Sequence, residues 1–158
     1  MIIRDYTPAD REAVIALHEE LQSYERDIRP TRAAGRQISV QQVDEYEATM
    51  ADVEDARLLI AEREGVPVGF TFFLAEAEML EDPQAQIYVQ DFMVTASARR
   101  SGIGRALMVE IRRFMAERGI GLIDLQVLTG NNAALAFYRA EGFDVAYMGL
   151  QATTRQPD

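Results

Sequence analysis

The stretch DFMVTASARRSGIGRALMVEI, residues 91–111, sets a strand, a short turn, two glycines and a helix in immediate succession. Ile103, Leu107, Ile111, Phe114 and Met115 recur every three or four residues, the spacing of one buried helix face, and Gly119 supplies a stop. A helix is therefore expected over residues 102–118, beginning at the glycines. Helix N-termini carry unpaired backbone N–H groups and a partial positive charge, and glycine lets an anion reach that backbone with no side chain between. Arg99, Arg100 and Arg105 gather at the same turn, so the stretch reads as an anion site. It is not a P-loop, because Gly104 is followed by Arg105-Ala106, which supplies neither the phosphate lysine nor a magnesium hydroxyl. A dinucleotide fingerprint fails at Leu107, where its third glycine belongs.

Downstream, a strand at residues 122–128, a helix at 132–141 ended by Gly142, and a last strand at 143–153 are expected. Upstream, residues 56–63 and 68–76 read as two strands around the turn Glu64-Gly65-Val66-Pro67, a hairpin by spacing and turn chemistry. A further strand, 86–94, follows Asp82-Pro83. Near the start, residues 2–4 form a strand candidate, and Thr7-Pro8-Ala9-Asp10 opens a helix running to about residue 26. Val14, Leu17, Leu21 and Tyr24 mark its buried face, with His18 beside them. Ser39 with Gln42 three residues on signals a second, shorter helix to residue 53. The order β-α-α-β-β-β-α-β-α-β predicts a single α/β domain over residues 1–158, with a mixed sheet flanked by helices.

Composition narrows the function. The formal net charge of −10 disfavours nucleic acid and anionic membranes as partners, because the whole-molecule field repels phosphate, and it leans toward a cationic substrate. There is no cysteine, which removes disulfides, thiolate metal sites and thiol nucleophiles together. Neither a leader pattern nor a run of about 18 apolar residues is present, so a cytoplasmic location is the expectation.

Arg99-Arg100-Ser101-Gly102-Ile103-Gly104 resembles the R-x-x-G-x-G pyrophosphate loop of the GNAT acyltransferases. Residues 131–143, NNAALAFYRAEGF, resemble that family's N-x-x-A-x-x-F-Y-x-x-x-G-F block. Two motifs in the right order, separated by one strand, are far more specific than either. The resemblance implies an acetyl-CoA-dependent N-acetyltransferase with no metal. By it, the backbone of Phe92, Met93 and Val94 holds the acetyl group and pantetheine arm, with the Phe92 N–H as oxyanion contact. Arg99, Arg100, Ser101, Gly102, Ile103, Gly104 and Arg105 take the pyrophosphate, and Asn131 bonds the pantetheine arm beside the small Ala134. Tyr138 is the general acid that protonates the departing thiolate, and it also touches the cofactor.

Direct acyl transfer to an amine needs a neutral nitrogen, a donor for the oxyanion and a proton for sulfur, but no enzyme nucleophile. Asp91 is the candidate base, since it sits in the strand beside the reacting carbonyl; the other reading is a solvated acid. His18 is a weaker candidate for that role. Glu20, Tyr24 and Glu25 on the first helix are candidates for the acceptor pocket, against a plain solvated helix face. Asn131 reads equally as the N-cap of its own helix, and Tyr138 as a core tyrosine. The loop between residues 28 and 38 is expected to shape acceptor choice. The chain leaves little beyond its last strand, so an exposed sheet edge covered by a second protomer is also expected. The acceptor is a small-molecule or peptidyl amine; a CoA-binding sensor that has lost its chemistry is the alternative, with a nucleotide-binding protein third.

Overall fold

The computed structural model describes residues 1–77 and 85–153. It opens with β1 (Ile2–Asp5) and a single 3-10 turn, Pro8–Asp10, that leads into α1 (Arg11–Ile28). Asp10 closes this turn by accepting from the Thr7 backbone at 2.8 Å and the Thr7 hydroxyl at 3.0 Å. Arg4 grips the same carboxylate with two guanidinium nitrogens at 2.7 and 2.8 Å, which holds Asp10 down at a pKa of about 2.

The second helix, α2 (Arg36–Asp52), starts earlier than the Ser39 cap predicted. Gly35, at a φ of +115° that glycine tolerates, makes the entry, while Ser39 lies inside the helix with its hydroxyl 2.8 Å from His18 Nδ1. A buried polar partner on α1 has recruited the serine, and local capping chemistry lost.

Strands β2 (Ala56–Arg63) and β3 (Val66–Ala77) form the expected hairpin, with a tighter turn. Glu64 and Gly65 both carry positive φ, 55° and 79°, as a two-residue hairpin turn of matching twist requires. Next come β4 (Ala85–Val94), α3 (Ile103–Arg118), β5 (Leu122–Leu125) and α4 (Asn132–Ala140). The break at Asp82-Pro83 lies outside the described residues. The sheet runs β1-β2-β3-β4-β5, antiparallel except where α3 crosses between the parallel pair β4 and β5.

Each sheet face has its own core. Val14, Ile15 and Leu17 of α1, with Val43 and Tyr46 of α2, cover Leu58, Ile60, Phe70, Phe72 and Met93. On the other face Met108, Ile111, Phe114 and Met115 of α3 cover Phe73, Ile87 and Val89. Among the described residues no helix is long and apolar enough to cross a membrane.

The last expected strand does not form: residues 143–153 carry no strand pairing. Past the end of α4 and Gly142 the chain instead reaches the end of α1, where Arg29 donates to the Gln151 side chain. An apolar pattern makes a strand only where its backbone pairs with an edge; the outer edge of β5, the last strand of the sheet, takes up none of these residues, and Val145, Tyr147, Met148 and Leu150 stay 64–87% exposed.

Candidate active site

The site is made where β4 and β5 part. Their parallel pairing ends at Val89 opposite Leu125, while β4 continues to Val94 bonded only to β3. Just past that point Phe72 faces Asp91 and Phe73 faces Val89, so Gln90 is the extra residue of a β-bulge. Bulges bend a strand and re-aim its side chains. The resulting cleft is lined by Gln90, Asp91 and Phe92 on one wall, by residues 125–128 with Asn131, Ala134 and Tyr138 on the other, and by Leu21 and Glu25 of α1.

Asp91 and Tyr138 therefore share one cavity. Asp91 is pushed above the usual carboxylate range by burial, and a hydrogen bond from the Tyr46 hydroxyl to Oδ2, at 2.5 Å, opposes that shift. Tyr46 is wholly buried, stacked on Phe72 with ring centroids 4.4 Å apart, so it fixes the direction of the carboxylate. The Tyr138 phenol is pushed up by burial first and by the negative charges of Asp91 and Glu25 second, and it keeps its proton throughout the neutral range. Phe92, Phe137 and Phe143 pack around its ring at 5.2–6.0 Å between centroids.

Beyond Val94 the chain turns through Ala96–Ala98 into the arginine and glycine loop. Arg100, at φ 57°, and Gly102, at φ 85°, put left-handed residues into this loop, a backbone that turns successive N–H groups toward a common concavity. A Cβ at Gly102 would meet nothing within 4 Å, so the helix start is open to a ligand. Gly104 is glycine for another reason: a Cβ there would sit 3.2 Å from the Phe137 ring. Ile103 is buried and anchors the loop, and the Ser101 hydroxyl donates to Ala98 O at 2.5 Å. Met93 buries its side chain in the core below. A polyanion fits such a cradle of open amides and exposed arginines.

The arginines are individually placed. Arg99 lies over the Tyr24 ring at 5.0 Å and donates to Val94 O at 2.9 Å. Arg105 reaches Glu141 on the far side of α4 at 3.2 Å, and Arg112 joins it at 3.0 Å. Asn131 accepts from the Ala134 N–H at 3.2 Å, the geometry of an N-cap, and from the Tyr24 hydroxyl at 3.4 Å.

Three residues nominated for the base or the acceptor pocket do not line the cleft: Tyr24, which meets Arg99 and Asn131, and also Glu20 and His18. Glu20 accepts from the Thr95 hydroxyl at 2.7 Å and the Ala96 N–H at 2.9 Å; both oxygens brace the loop, and the residue is not among those lining the cleft. His18 is buried between Ser39 and Gln22, and desolvation pushes its pKa down. Tyr46 was not legible as a site residue, because its partner lies 45 positions away. Among the described residues no group of three or more acids or histidines could hold a metal. A larger depression, of about 260 Å³, lies under Arg57, Arg113 and Arg118 at the other end of the sheet, where ion pairs and guanidinium–ring contacts occupy its rim.

Cleft, bulge and open loop occur together in a chain whose residues 14–143 match the acetyltransferase (GNAT) family. The chain belongs to the GNAT family. A mycothiol acetyltransferase of Thermobispora bispora is 35% identical over 92 residues, covering 57% of this chain and 30% of that protein. A streptothricin acetyltransferase of Streptomyces lavendulae is 37% identical over 71 residues, covering 45% and 36%. The matched stretches thus span about a third of these relatives' length. The GNAT fold is shared with a Bacillus halodurans protein at a TM-score of 0.82 and 20% identity, covering 98% of this chain and all of that one. An aminoglycoside 6'-N-acetyltransferase of Acinetobacter haemolyticus follows at 0.75 and 14%, covering 99% and 100%. An aminoglycoside N-acetyltransferase crystallised with CoA gives 0.73 and 16%, covering 98% and 95%.

Proposed function

We propose that the chain acts as a single-domain, cytoplasmic N-acetyltransferase. It moves an acetyl group from acetyl-CoA directly to a primary amine of a small molecule or peptide, with both substrates bound together. The observation that carries this reading is the shared cleft: a carboxylate on one wall, a phenol on the other, and a strand that runs straight from it into the anion-binding loop.

Bound acetyl-CoA supplies the activated acyl carbon and a thiolate leaving group. The loop residues Arg99 to Arg105 hold the pyrophosphate through backbone amides, with the guanidinium groups adding charge. The edge of Phe92, Met93 and Val94 would hold the acyl and pantetheine portion, with the Phe92 N–H as the donor for the oxyanion. Asn131 and Ala134 line the opposite wall. Asp91 takes one proton from the acceptor's ammonium, directly or through one water, which frees the neutral amine to attack, and its raised pKa makes it a better acceptor than an ordinary aspartate. Tyr138 gives its hydrogen to the departing sulfur.

Thermal unfolding with and without acetyl-CoA, on wild type and Gly102→Glu, tests the cofactor site. Stabilisation in wild type alone is expected, because a carboxylate in the open space at Gly102 repels phosphate. Thiol release on an amine panel then tests turnover. Binding without turnover on any amine would replace the enzyme reading with a sensor, and stabilisation by ATP and magnesium rather than CoA would replace both. A homodimer belongs to the same proposal, supported by the exposed apolar run from Val145 to Leu150. A monomeric mass in light scattering at micromolar concentration would remove it.

A further inference from the structure

Residues 29–35 link α1 to α2, and within them Arg32 folds back toward the cleft. Its Nη2 lies 2.7 Å from Oε2 of Glu25, which is one of the residues lining the cavity. This pair is incomplete. Oε2 of Glu25 and the Nε of Arg32 are buried atoms that complete no well-formed hydrogen bond, and only Nη2 stands close to the carboxylate, so the two charges meet without full alignment on side chains 19% and 39% exposed. Arg4 offers the contrast: its Nη1 and Nη2 meet Asp10 at 2.8 and 2.7 Å while its Nε meets Glu62 at 2.9 Å. A partly exposed pair held through one nitrogen contributes little, whereas three aligned contacts to two carboxylates, one of them only 7% exposed, hold firmly, so Arg4 is held and Arg32 is exchangeable.

The surroundings say what it exchanges with. Glu25 is pushed up by desolvation and, in smaller part, by the nearby charge of Asp91, while Arg32 pulls both carboxyl groups back down. Without Arg32, two acids would face one cavity with no cation between them. Swapping one cation for another leaves the local charge unchanged; a neutral acceptor would strand Glu25, and an anionic one would be repelled by both acids.

We propose that Arg32 is an internal stand-in for the acceptor, and that Glu25 is a specificity subsite for a second cationic group on it, an ammonium or guanidinium distinct from the reacting amine. The acceptor is then a di- or polycationic amine, and residues 29–35 give way as it binds. This rests on the acetyltransferase reading above and names its substrate class.

The test compares a series of linear diamines of increasing length, starting at putrescine, with butylamine and γ-aminobutyrate, which replace the second cation by nothing and by a carboxylate. Thiol release reads turnover, and calorimetric titration onto the CoA-saturated protein reads binding without it. The best diamine is expected to exceed butylamine by roughly thirtyfold in kcat/KM, as a charge-assisted contact allows. Glu25→Gln should shrink that ratio to within about threefold, mainly through KM, and Arg32→Ala should lower the diamine KM by removing its competitor. Retained thermal stabilisation by acetyl-CoA shows that each variant is folded. A ratio unmoved by Glu25→Gln overturns the proposal, as does a preference for γ-aminobutyrate that Arg32→Ala abolishes, which would make Arg32 an anion site. Diamine-selective binding with no thiol release would sink the acetyltransferase reading and leave the subsite standing; thiol release with no cation preference would do the reverse.

Discussion

The two walls of the cleft are built to different standards. Behind β4 stand Phe70, Phe72, Met93 and Tyr46, all at most 2% exposed, under two helices. Behind β5 stands α4, in which no residue is fully buried, and beyond it residues 144–153 lie exposed. The proposed base is held by the rigid wall through Tyr46, whereas the proposed acid rides on the lighter one, with Arg105, Arg112 and the Phe137 ring fastening it to α3. Proton acceptance thus gets a fixed direction, and proton donation gets an element able to adjust as a thioester arrives.

Replacing the base should separate function from stability most widely. Asp91→Asn is expected to lower kcat/KM by about a thousandfold, within the range for a lost general base. Its thermal stability should equal that of wild type at low pH and exceed it as pH rises. The sign follows from the raised pKa: an acid whose folded pKa lies above its unfolded value favours the fold while protonated, and that contribution is lost as pH climbs from the ordinary carboxylate range through the raised value. Asparagine has nothing to ionise. Unfolding curves across pH check this, and a variant less stable than wild type at every pH would mean that the carboxylate is structural.

Stability itself should divide by wall. Phe72→Ala empties a fully buried, stacked position and should cost about 4 kcal/mol. Phe137→Ala, on the half-exposed wall, should cost about 2 kcal/mol or less, because its ring is only partly removed from water. Denaturant unfolding measures both. Equal costs would erase the contrast between the walls.

What could be read beforehand follows the range of the interactions involved. The hairpin at Glu64-Gly65, the stop at Gly119 and the loop from Arg99 to Gly104 are set by neighbours in the chain, and residue type alone announces them. The mixed sheet follows from their order. Ser39 and the final strand depart from the expectation because distant partners decide them: His18 captures Ser39, and residues 143–153 pair with no strand; Glu20 is likewise engaged from 75 positions away, by Thr95. Tyr46 and Arg32 carried no local signal, since a buried tyrosine and a loop arginine acquire meaning only from the carboxylates they face.

The brace at Glu20 has a consequence for the order of events. One carboxylate fastens the entrance of the anion loop to α1, and one turn and a residue further along that helix Glu25 faces the cleft. The proposed donor and acceptor regions are therefore mounted on a common shaft. Were binding of a polyanion at the loop to order this shaft in favour of an acceptor, thermodynamic reciprocity would require the bound acceptor to tighten the loop's hold by the same factor.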